Sequence, residues 1–476
     1  MDFPRLTTFM DRIWDDEIVP ALTDYIRIPN KSPAFDPDWE KHGYMEQVVA
    51  MFAAWAKEKF KAFPGSSLEV VRLADGGKAR TPLILMEIPG QSPGTVLMYG
   101  HLDKQPEMAG WAEGTGPWQP LLKDGKLYGR GGADDGYAMF ASIAALLALK
   151  EQGIAHARTV ILIEACEESG SYDLPFYIDH LAARIGTPGL VVCLDSSAGN
   201  YEQLWLTTSL RGVVIGNLSV RVLTEGVHSG AASGIVPSSF RILRTLLSRI
   251  EDQATGRMAL PELFVEIPSD RQKQARETAA ILGDEVWSGM PFAGSTAPMA
   301  KDNAELILEK TWHPQLAVTG IDGYPLPVNA GNVLLPFSVA KLSIRLPPIL
   351  EANKACAALK TALEKDPPYK AQVAFEGAQG DDGWNAPLLA PWLEAALNRA
   401  SQAAFGKPAA FHGEGGSIPF MAMLGAKFPA TQFVVTGVLG PHSNAHGPNE
   451  FLHIAFAKKV SACITQILAD HAVKAS

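Results

Sequence analysis

The 476-residue sequence has few cysteines, no long apolar run and no basic cluster, and each absence excludes a class of protein. Four scattered cysteines do not make a disulfide framework, so we expect free thiols. No apolar stretch reaches the ~18 to 20 residues that a membrane-spanning helix needs. The formal net charge of -10, without a Lys/Arg cluster, argues against a nucleic-acid surface. The first twenty residues lack a basic segment followed by an apolar one, which favours a cytoplasmic location.

What is present is the composition of a folded protein, with 47% hydrophobic and 19% charged residues. The chain is too long for one core of ordinary size, so we expect two domains. Strand-like and helical runs alternate up to about residue 206, the pattern of an α/β layer fold. We predict a catalytic domain made of 1–207 and 386–476, with 208–385 inserted into it.

The inserted domain is predicted to be α+β. The segments RGVVIGNLSVRVL and FSVAKLSIRLPP have the character of strands, and the partial alternation of the first indicates a sheet with one face covered. VPSSFRILRTLLSRIEDQ and EANKACAALKTALEK show helical spacing of apolar residues. Residues 256–312 carry mixed signals, and we interpret them as an irregular insertion.

In the catalytic domain, metal-binding residue types follow the predicted buried strands. VLMYG precedes His101, TVILIEAC precedes Glu167, GLVVCL precedes Asp195, and QFVVTGVLG leads toward His446. Such Val-, Ile- and Leu-rich runs are typical of a largely parallel sheet, where ligands bind beyond the carboxyl ends of the strands. Asp134 instead follows the glycine-rich GRGGA and precedes a predicted helix. The side chains therefore predict a metal site at one edge of the sheet.

This residue set has the donors of a two-metal hydrolase. Zinc is bound by histidine nitrogen and carboxylate oxygen, and a shared aspartate can bridge two metals roughly 3.5 to 4 Å apart. Two histidines and several carboxylates are available, which fits that arrangement.

The motifs resemble those of the di-zinc exopeptidases and deacylases, a family that includes carnosine and cytosolic nonspecific dipeptidases, acetylornithine deacetylase and glutamate carboxypeptidase. GHLDKQP, GRGGADD, EACEESGS and AHGPNE occur in the family's order and spacing, and the resemblance runs from about residue 20 to 465. It implies a phosphorylase/hydrolase-like α/β catalytic domain with a mixed, mostly parallel sheet. It also implies an inserted α+β lid and dimerisation domain, and hence a homodimer.

The resemblance further implies a ligand set and a mechanism. One metal would be held by His101, Asp134 and Asp195, and the other by Asp134, Glu168 and His446. Zinc is the expected metal, with manganese or cobalt as alternatives. Asp103 would orient His101, and Glu167 would be the general base toward a hydroxide that bridges the metals. A cis peptide at Asp134-Asp135 is also implied.

In the inserted domain the resemblance implies substrate contacts. His228, in EGVHSG, would reach across the dimer to stabilise the oxyanion. Asn332, Arg345, Gly416 and Ser417 would bind substrate, and Arg345 suits bidentate capture of a carboxylate. Two departures leave the side-chain preference of the pocket open, because Gly413 replaces an arginine found in many relatives, and GDDGWNAP lacks a histidine common in dipeptidases.

Several alternatives remain at this stage. His442 competes with His446 as the last ligand, and Asp135 either caps a helix or contributes to catalysis. We expect hydrolysis of a peptide bond in dipeptides or similar small substrates with a free carboxylate. An N-acyl-amino-acid deacylase or a carboxypeptidase with the same centre is the nearest alternative. A metal-bearing scaffold that binds without catalysis is the remote one.

Overall fold

The computed structural model describes residues 1–416 and 418–474. Its contacts divide the chain into two compact units. The first consists of Met1–Thr207, Ala386–His412 and Met423–Ser476, and the second of Thr208–Asn385 and Gly413–Ala422.

Residues 413–422 group with the second unit, although the sequence analysis assigned them to the catalytic domain. Hydrogen bonds from Arg211 account for the difference. Its backbone N–H donates to the Gly416 carbonyl at 3.0 Å, and its Nε donates to the Gly415 carbonyl at 3.1 Å. These contacts tie the glycine-rich segment to the start of the second unit.

The first unit contains a six-stranded sheet in which parallel pairs outnumber antiparallel ones. The last three neighbouring pairs in the strand order are parallel and the first two are antiparallel. Most strands are rich in Val, Ile and Leu and buried, as a sheet covered on both faces requires. The predicted mixed, mostly parallel sheet is confirmed. The strand order is Ser67–Val71, Leu83–Ile88, Ala157–Glu164, Ser92–His101, Leu190–Cys193 and Gln432–Val435.

Two long helices, Tyr137–Glu151 and Ile454–Lys474, contact each other and the central strands of this sheet. Most of their side chains are buried, because they lie between the sheet and further helices. The other helical segments of this unit are Phe3–Ile13, Trp14–Ile18, Val19–Ile26, Trp39–His42, Tyr44–Phe60, Gly132–Gly136, Glu167–Ser169, Leu174–His180, Ala182–Ile185 and Pro391–Phe405. The helix Pro419–Lys427 begins in the second unit and ends in the first.

The second unit is built on a four-stranded antiparallel sheet with the order Gln315–Asp322, Phe337–Leu346, Gly212–Arg221 and Gln372–Asp381. Buried and more exposed residues alternate along Phe337–Leu346, so one face of the sheet is covered. The helices Ser239–Leu247 and Ala352–Glu364 pack on that face around one apolar core. The predicted α+β character follows from this arrangement.

The sequence analysis did not predict two of these strands, Gln315–Asp322 and Gln372–Asp381. Both lie at the edges of the sheet and are largely exposed, so their apolar periodicity is weak. The stretch 256–312, which we interpreted as irregular, contains several helical segments. Its exposed helices carry many polar residues, which obscured the signal. They are Pro261–Leu263, Ser269–Leu282, Glu285–Ser288 and Asn303–Thr311.

Shorter elements complete the fold. The remaining strands are Ala74–Asp75, Lys78–Ala79, Leu121–Lys123, Lys126–Tyr128, Trp205–Leu210, Val227–His228, Val333–Leu334, Trp384–Asn385, Ala410–Glu414 and Phe451–His453, and the remaining helical turns are Ser229–Ala232, Pro327–Asn329 and Pro368–Lys370. Among the described residues, no helix has both the length and the apolarity to cross a membrane.

Gly437 follows the last strand of the large sheet at a point where a side chain has no room. A Cβ there would lie 1.9 Å from the backbone oxygen of Ser196. We expect Gly437→Ala to lower the free energy of unfolding by roughly 2 to 3 kcal/mol, because the backbone must move. Urea unfolding measures this. Gly289→Ala is the control, since a Cβ at that position would meet no atom within 4 Å. Equal stability of the two variants would contradict the prediction.

Candidate metal centre

The carboxyl ends of the central strands lie side by side at the site. In the parallel register His101 is paired with Glu164, and Tyr99 is paired with Cys193. His101 therefore ends its strand level with the strand that leads to the glutamate pair. Asp195 follows its strand by two residues. The topology brings together side chains that lie almost a hundred residues apart in sequence.

Asp134 reaches the same place through an irregular turn before the helix Tyr137–Glu151. Gly131 has a left-handed backbone conformation with φ 86, which glycine adopts without steric cost. The cis peptide bond that the resemblance implied at Asp134-Asp135 is present. The Asp134 side chain is buried and lies between the two candidate histidines.

Two groups of possible ligand atoms share Asp134. Its Oδ1 lies 3.3 Å from Nε2 of His101, and its Oδ2 lies 3.1 Å from Nε2 of His446. The His101 Nε2 is also 3.8 Å from Asp195 Oδ2, and the His446 Nε2 is 3.3 Å from Glu168 Oε2. Within each group all ligand atoms lie within 4.8 Å of one another. The groups are His101, Asp134 and Asp195, and Asp134, Glu168 and His446.

Asp103 holds the glutamate pair in place. Its two carboxylate oxygens accept hydrogen bonds from the backbone N–H groups of Glu167 and Glu168, each at 3.1 Å. The Nδ1 of His101 lies 3.1 Å from the backbone carbonyl of Asp103 and 3.5 Å from its carboxylate. Asp103 thus contacts both the histidine and the loop that carries the candidate base.

Burial and mutual repulsion make the carboxyl groups of this site resist ionisation. Burial raises the pKa of Glu167 and Glu168 well above the usual value, and the charges of Asp195 and Asp134 respectively add to the effect. Burial likewise raises the pKa of Asp195 to about 6. The pKa of Asp134 is lowered, because hydrogen bonds from the two histidines outweigh its burial.

The same pairing affects the histidines. Burial opposes the protonation of His101, but its carboxylate neighbours Asp103 and Asp134 raise its pKa well above the ordinary value. The pKa of His446 is also raised, because its hydrogen bond to Asp134 outweighs partial burial. Without another cation, protons on these rings are the charges that balance the carboxylates.

The donor set fits two divalent cations. It consists of imidazole nitrogens and carboxylate oxygens, the ligands that zinc takes in hydrolases. The Oε1 of Glu168 is buried and has no hydrogen-bond partner among the described residues. A buried carboxylate oxygen without a partner is costly, and a bound metal ion would satisfy it.

The two alternatives left by the sequence have distinct positions. His442 is exposed and belongs to neither group of ligand atoms, whereas His446 belongs to one. Asp135 is buried, and its Oδ2 accepts a hydrogen bond from the backbone N–H of His101 at 3.2 Å. Its contact is with the strand that carries His101, and its side chain makes no cap at the helix that begins at Tyr137.

The second unit carries the predicted substrate-binding residues. His228 is exposed on a short strand that pairs with Val333–Leu334. The carbonyl of Asn332 accepts a hydrogen bond from the backbone N–H of Ser229 at 2.9 Å. His228 and Asn332 therefore lie on neighbouring segments of one small two-stranded element.

Arg345 lies on the strand Phe337–Leu346, opposite Val213. Burial lowers its pKa, and burial together with the nearby Arg345 charge lowers the pKa of Arg211 to about 10. Arg345 has no carboxylate within ion-pair distance in the described part of the chain. Two close guanidinium groups make this part of the second unit attractive to an anion. Gly416 is exposed and bonded to the backbone of Arg211, and Ser417 lies outside the described residues.

Sequence reasoning missed a set of contacts that hold the His101 loop. The buried Lys104 donates from Nζ to the carbonyls of Tyr25 and Ile28 at 2.7 and 2.8 Å. The Tyr25 hydroxyl and the Asn30 amide in turn donate to the Leu102 carbonyl at 2.9 and 2.6 Å. Burial lowers the pKa of Lys104 well below its usual value. The signal in the sequence was the lysine of the GHLDKQP motif, which is Lys104.

The α/β unit with its mixed sheet carries two groups of carboxylate and histidine side chains, and the groups share one aspartate. These features define the class of metal-dependent hydrolases. Residues 97–470 match the model of Peptidase family M20/M25/M40. The chain belongs to this family. The predictions of family, fold class and a metal-dependent peptidase are confirmed.

The chain is similar to several characterised proteins along most of its length. It is 24% identical over 413 residues to the cysteinylglycine-S-conjugate dipeptidase of Corynebacterium striatum, covering 85% of this chain and 88% of the relative. It is 26% identical over 426 residues to the human Beta-Ala-His dipeptidase, covering 86% and 81%.

Solved structures show the same fold. The dipeptidase Dug1p of Saccharomyces cerevisiae superposes with a TM-score of 0.77 at 20% identity, covering 99% of each chain. Human carnosine dipeptidase 1 gives a TM-score of 0.75 at 21% identity, covering 99% of this chain and 100% of the other.

One buried carboxyl group beside the site, that of Glu164, should make the stability of the protein depend on pH. Glu164 accepts hydrogen bonds from the hydroxyls of Tyr99 and Ser171 at 2.5 and 2.9 Å. Burial nevertheless raises its pKa from 4.5 to about 7. The folded protein therefore binds more protons here than the unfolded chain between these pH values. The contribution of Glu164 to stability must fall as the pH rises through that window.

We expect Glu164→Gln to remove this pH dependence. The free energy of unfolding of the variant, minus that of the parent, should be about 2 to 3 kcal/mol larger at pH 8 than at pH 4.5. Urea unfolding of the chelator-treated proteins at both pH values measures it. Glu394→Gln, at an exposed helix position, is the control. The same difference from the parent at both pH values would contradict the expectation.

Proposed function

We propose that the protein is a dipeptidase that cleaves the peptide bond next to a free carboxylate, with two metal ions held at the site. The observation that carries the proposal is the pair of ligand groups sharing Asp134, with Glu167 beside them. The similarity to several dipeptidases supports the choice of substrate.

Zinc is the metal we propose, with manganese or cobalt as alternatives. His101, Asp134 and Asp195 would hold one ion, and Asp134, Glu168 and His446 the other. Bound metal ions supply Lewis-acid chemistry, which polarises a carbonyl and makes water more acidic. The mixed nitrogen and oxygen donors support zinc over a hard cation such as calcium.

Glu167 is the general base in this proposal. It takes a proton from the attacking water and delivers it to the leaving amine. Asp103 fixes its backbone by accepting the N–H hydrogen bond at 3.1 Å. The raised pKa of Glu167, due to burial and the Asp195 charge, suits a group that must hold the proton between the two steps.

The second unit binds the ends of the substrate and its oxyanion. Arg345 captures the terminal carboxylate, supported by the absence of an ion-pair partner among the described residues and by its proximity to Arg211. Asn332, Gly416 and Ser417 contact the substrate backbone. His228 donates a hydrogen bond to the oxyanion, and its exposure leaves the ring accessible.

We place His228 in the active site of a partner subunit, in a homodimer formed through the second unit. Segments close in sequence to the paired strands Val227–His228 and Val333–Leu334 expose large apolar side chains, which are common at interfaces. Ile235 is 83% exposed, Leu326 68% and Val328 86%. A cytoplasmic location is part of the proposal, supported by four free cysteines, most of them buried.

Mass spectrometry of a mixed substrate pool tests the function. The protein, loaded with zinc or manganese, is incubated with free dipeptides, N-acylated amino acids and longer peptides, with and without chelator. We expect chelator-sensitive loss of the free dipeptides. Loss of acylated amino acids alone would assign a deacylase, and trimming of longer peptides from the carboxyl end would assign a carboxypeptidase. Metal binding without loss of any amide would indicate a binding scaffold.

The role of Glu167 gives a direct prediction. We expect Glu167→Gln to lower kcat by ~10²- to 10⁴-fold, because the amide cannot accept the proton. Both metal ions should stay bound, since Glu167 belongs to neither ligand group. Steady-state kinetics and metal analysis of the purified variant measure these effects, with Glu394→Gln as control. Turnover within tenfold of the parent would rule out this base.

The proposed dimer predicts complementation between inactive variants. Co-expression of His228→Ala with Glu167→Gln should restore roughly a quarter of the parent activity, since half of the dimers formed are mixed and each has one intact site. Singly expressed variants should stay nearly inactive. If His228 acts within its own chain, mixing restores nothing. Analytical ultracentrifugation reports the dimer independently.

A further inference from the structure

A buried ion pair in the first unit is not used by the proposed chemistry. Arg130 and Glu450 are 1% and 0% exposed, and Nη1 of Arg130 lies 2.8 Å from Oε2 of Glu450. Arg130 belongs to the GRGGADD motif and Glu450 to the HGPNE motif. Each therefore stands four residues from a candidate ligand, Asp134 or His446.

Glu450 binds the loop that carries Asp134. Its Oε1 accepts from the backbone N–H of Gly131 at 3.0 Å and those of Ala133 and Asp134 at 3.4 Å each. Three donors that converge on one oxygen fix the course of this turn. The carbonyl of Glu450 also accepts from the backbone N–H of Gly129 at 3.0 Å.

Arg130 binds the loop that carries His446. Its Nη2 donates to the carbonyls of Gly447 at 2.8 Å and His446 at 3.2 Å, while Nε donates to the Pro106 carbonyl at 3.3 Å. His446 itself has a left-handed backbone with φ 66, and its side chain is 58% exposed. The ring contacts Asp134 and Glu168 through Nε2 and is otherwise largely exposed, so the backbone contacts help to hold it in place.

The pair is therefore a bridge between two loops, each anchored by the opposite partner. We propose that Arg130 and Glu450 are positioning residues that set His446 against Asp134, and thereby determine the affinity of the metal position formed by Asp134, Glu168 and His446. This inference rests on the proposed function, since it concerns one of its two metal positions.

A purely structural role predicts something different. A buried ion pair contributes little net stability when it is intact, but loss of one partner leaves an uncompensated charge and destabilises the whole fold. That effect would weaken both metal positions together, or neither. Glu450→Gln keeps an oxygen that can accept from the Asp134 turn, so its positioning effect acts through Arg130 on His446, which belongs to only one position.

The test is a titration of metal-free protein with Zn²⁺ in the presence of a competing chelating dye. We expect Glu450→Gln and Arg130→Lys to weaken one of two binding steps by ~10- to 100-fold, the usual effect of losing a partner behind a metal ligand. The other step should change by less than about threefold. Arg130→Lys keeps the charge but loses the planar guanidinium, whose separate nitrogens contact Glu450 and the two carbonyls.

A second pair of variants identifies the affected step. His446→Ala removes the ligand from one position, so only the other step remains strong. Adding Glu450→Gln to His446→Ala should then have no further effect on that remaining step. Arg158→Gln, which loses an ion pair with Glu87 at 2.8 Å elsewhere in the unit, is the control and should leave both steps unchanged.

The outcomes separate the inference from the proposed function. If the parent binds no metal, the proposed function fails. If the parent binds two ions, the proposed function stands. The positioning role is then wrong if Glu450→Gln weakens both steps equally or weakens neither. It is also wrong if adding Glu450→Gln to His446→Ala weakens the remaining step. Thermal unfolding of each metal-free variant identifies any that fails to fold. The Arg130→Met, Glu450→Gln double variant buries no charge and keeps an oxygen toward the Asp134 turn, so it then replaces that variant in the titration and should show the same one-step loss.

Discussion

The structure depends on one electrostatic constraint, the burial of several carboxylates in one small space. Glu167, Glu168 and Asp195 all have raised pKa values because burial and mutual repulsion penalise their charges. The pKa of Asp134 is lowered instead, because hydrogen bonds from two histidines outweigh its burial. Such a cluster is stable only if cations or protons balance it. The same imbalance makes the site suited to divalent metal ions.

Hydrogen bonds from backbone N–H groups hold several carboxylates of the site in place. Asp103 accepts from the backbone of the glutamate pair, Glu450 from the Asp134 turn, and Asp135 from His101. Close approach is required at Gly100, where a Cβ would lie 2.8 Å from Asp135 Oδ2. Three of the segments that carry candidate ligands are thus fixed by a carboxylate from another segment. The site is held as a network and not as separate side chains.

The two units divide the chemistry between them. The first carries all the candidate metal ligands together with Glu167. The second carries Arg345, whose burial beside Arg211 favours an anion, and the exposed His228 element.

The sequence alone indicated the candidate ligand residues, since buried parallel strands end where polar residues begin, and this pattern is local. It also indicated the α+β character of the second unit. It missed the edge strand Gln315–Asp322 and the helices within 256–312, because exposed elements carry little apolar periodicity. Only the tertiary structure decided which charges meet. The contact between Arg130 and Glu450 joins residues 320 positions apart, and no local pattern encodes such a distance.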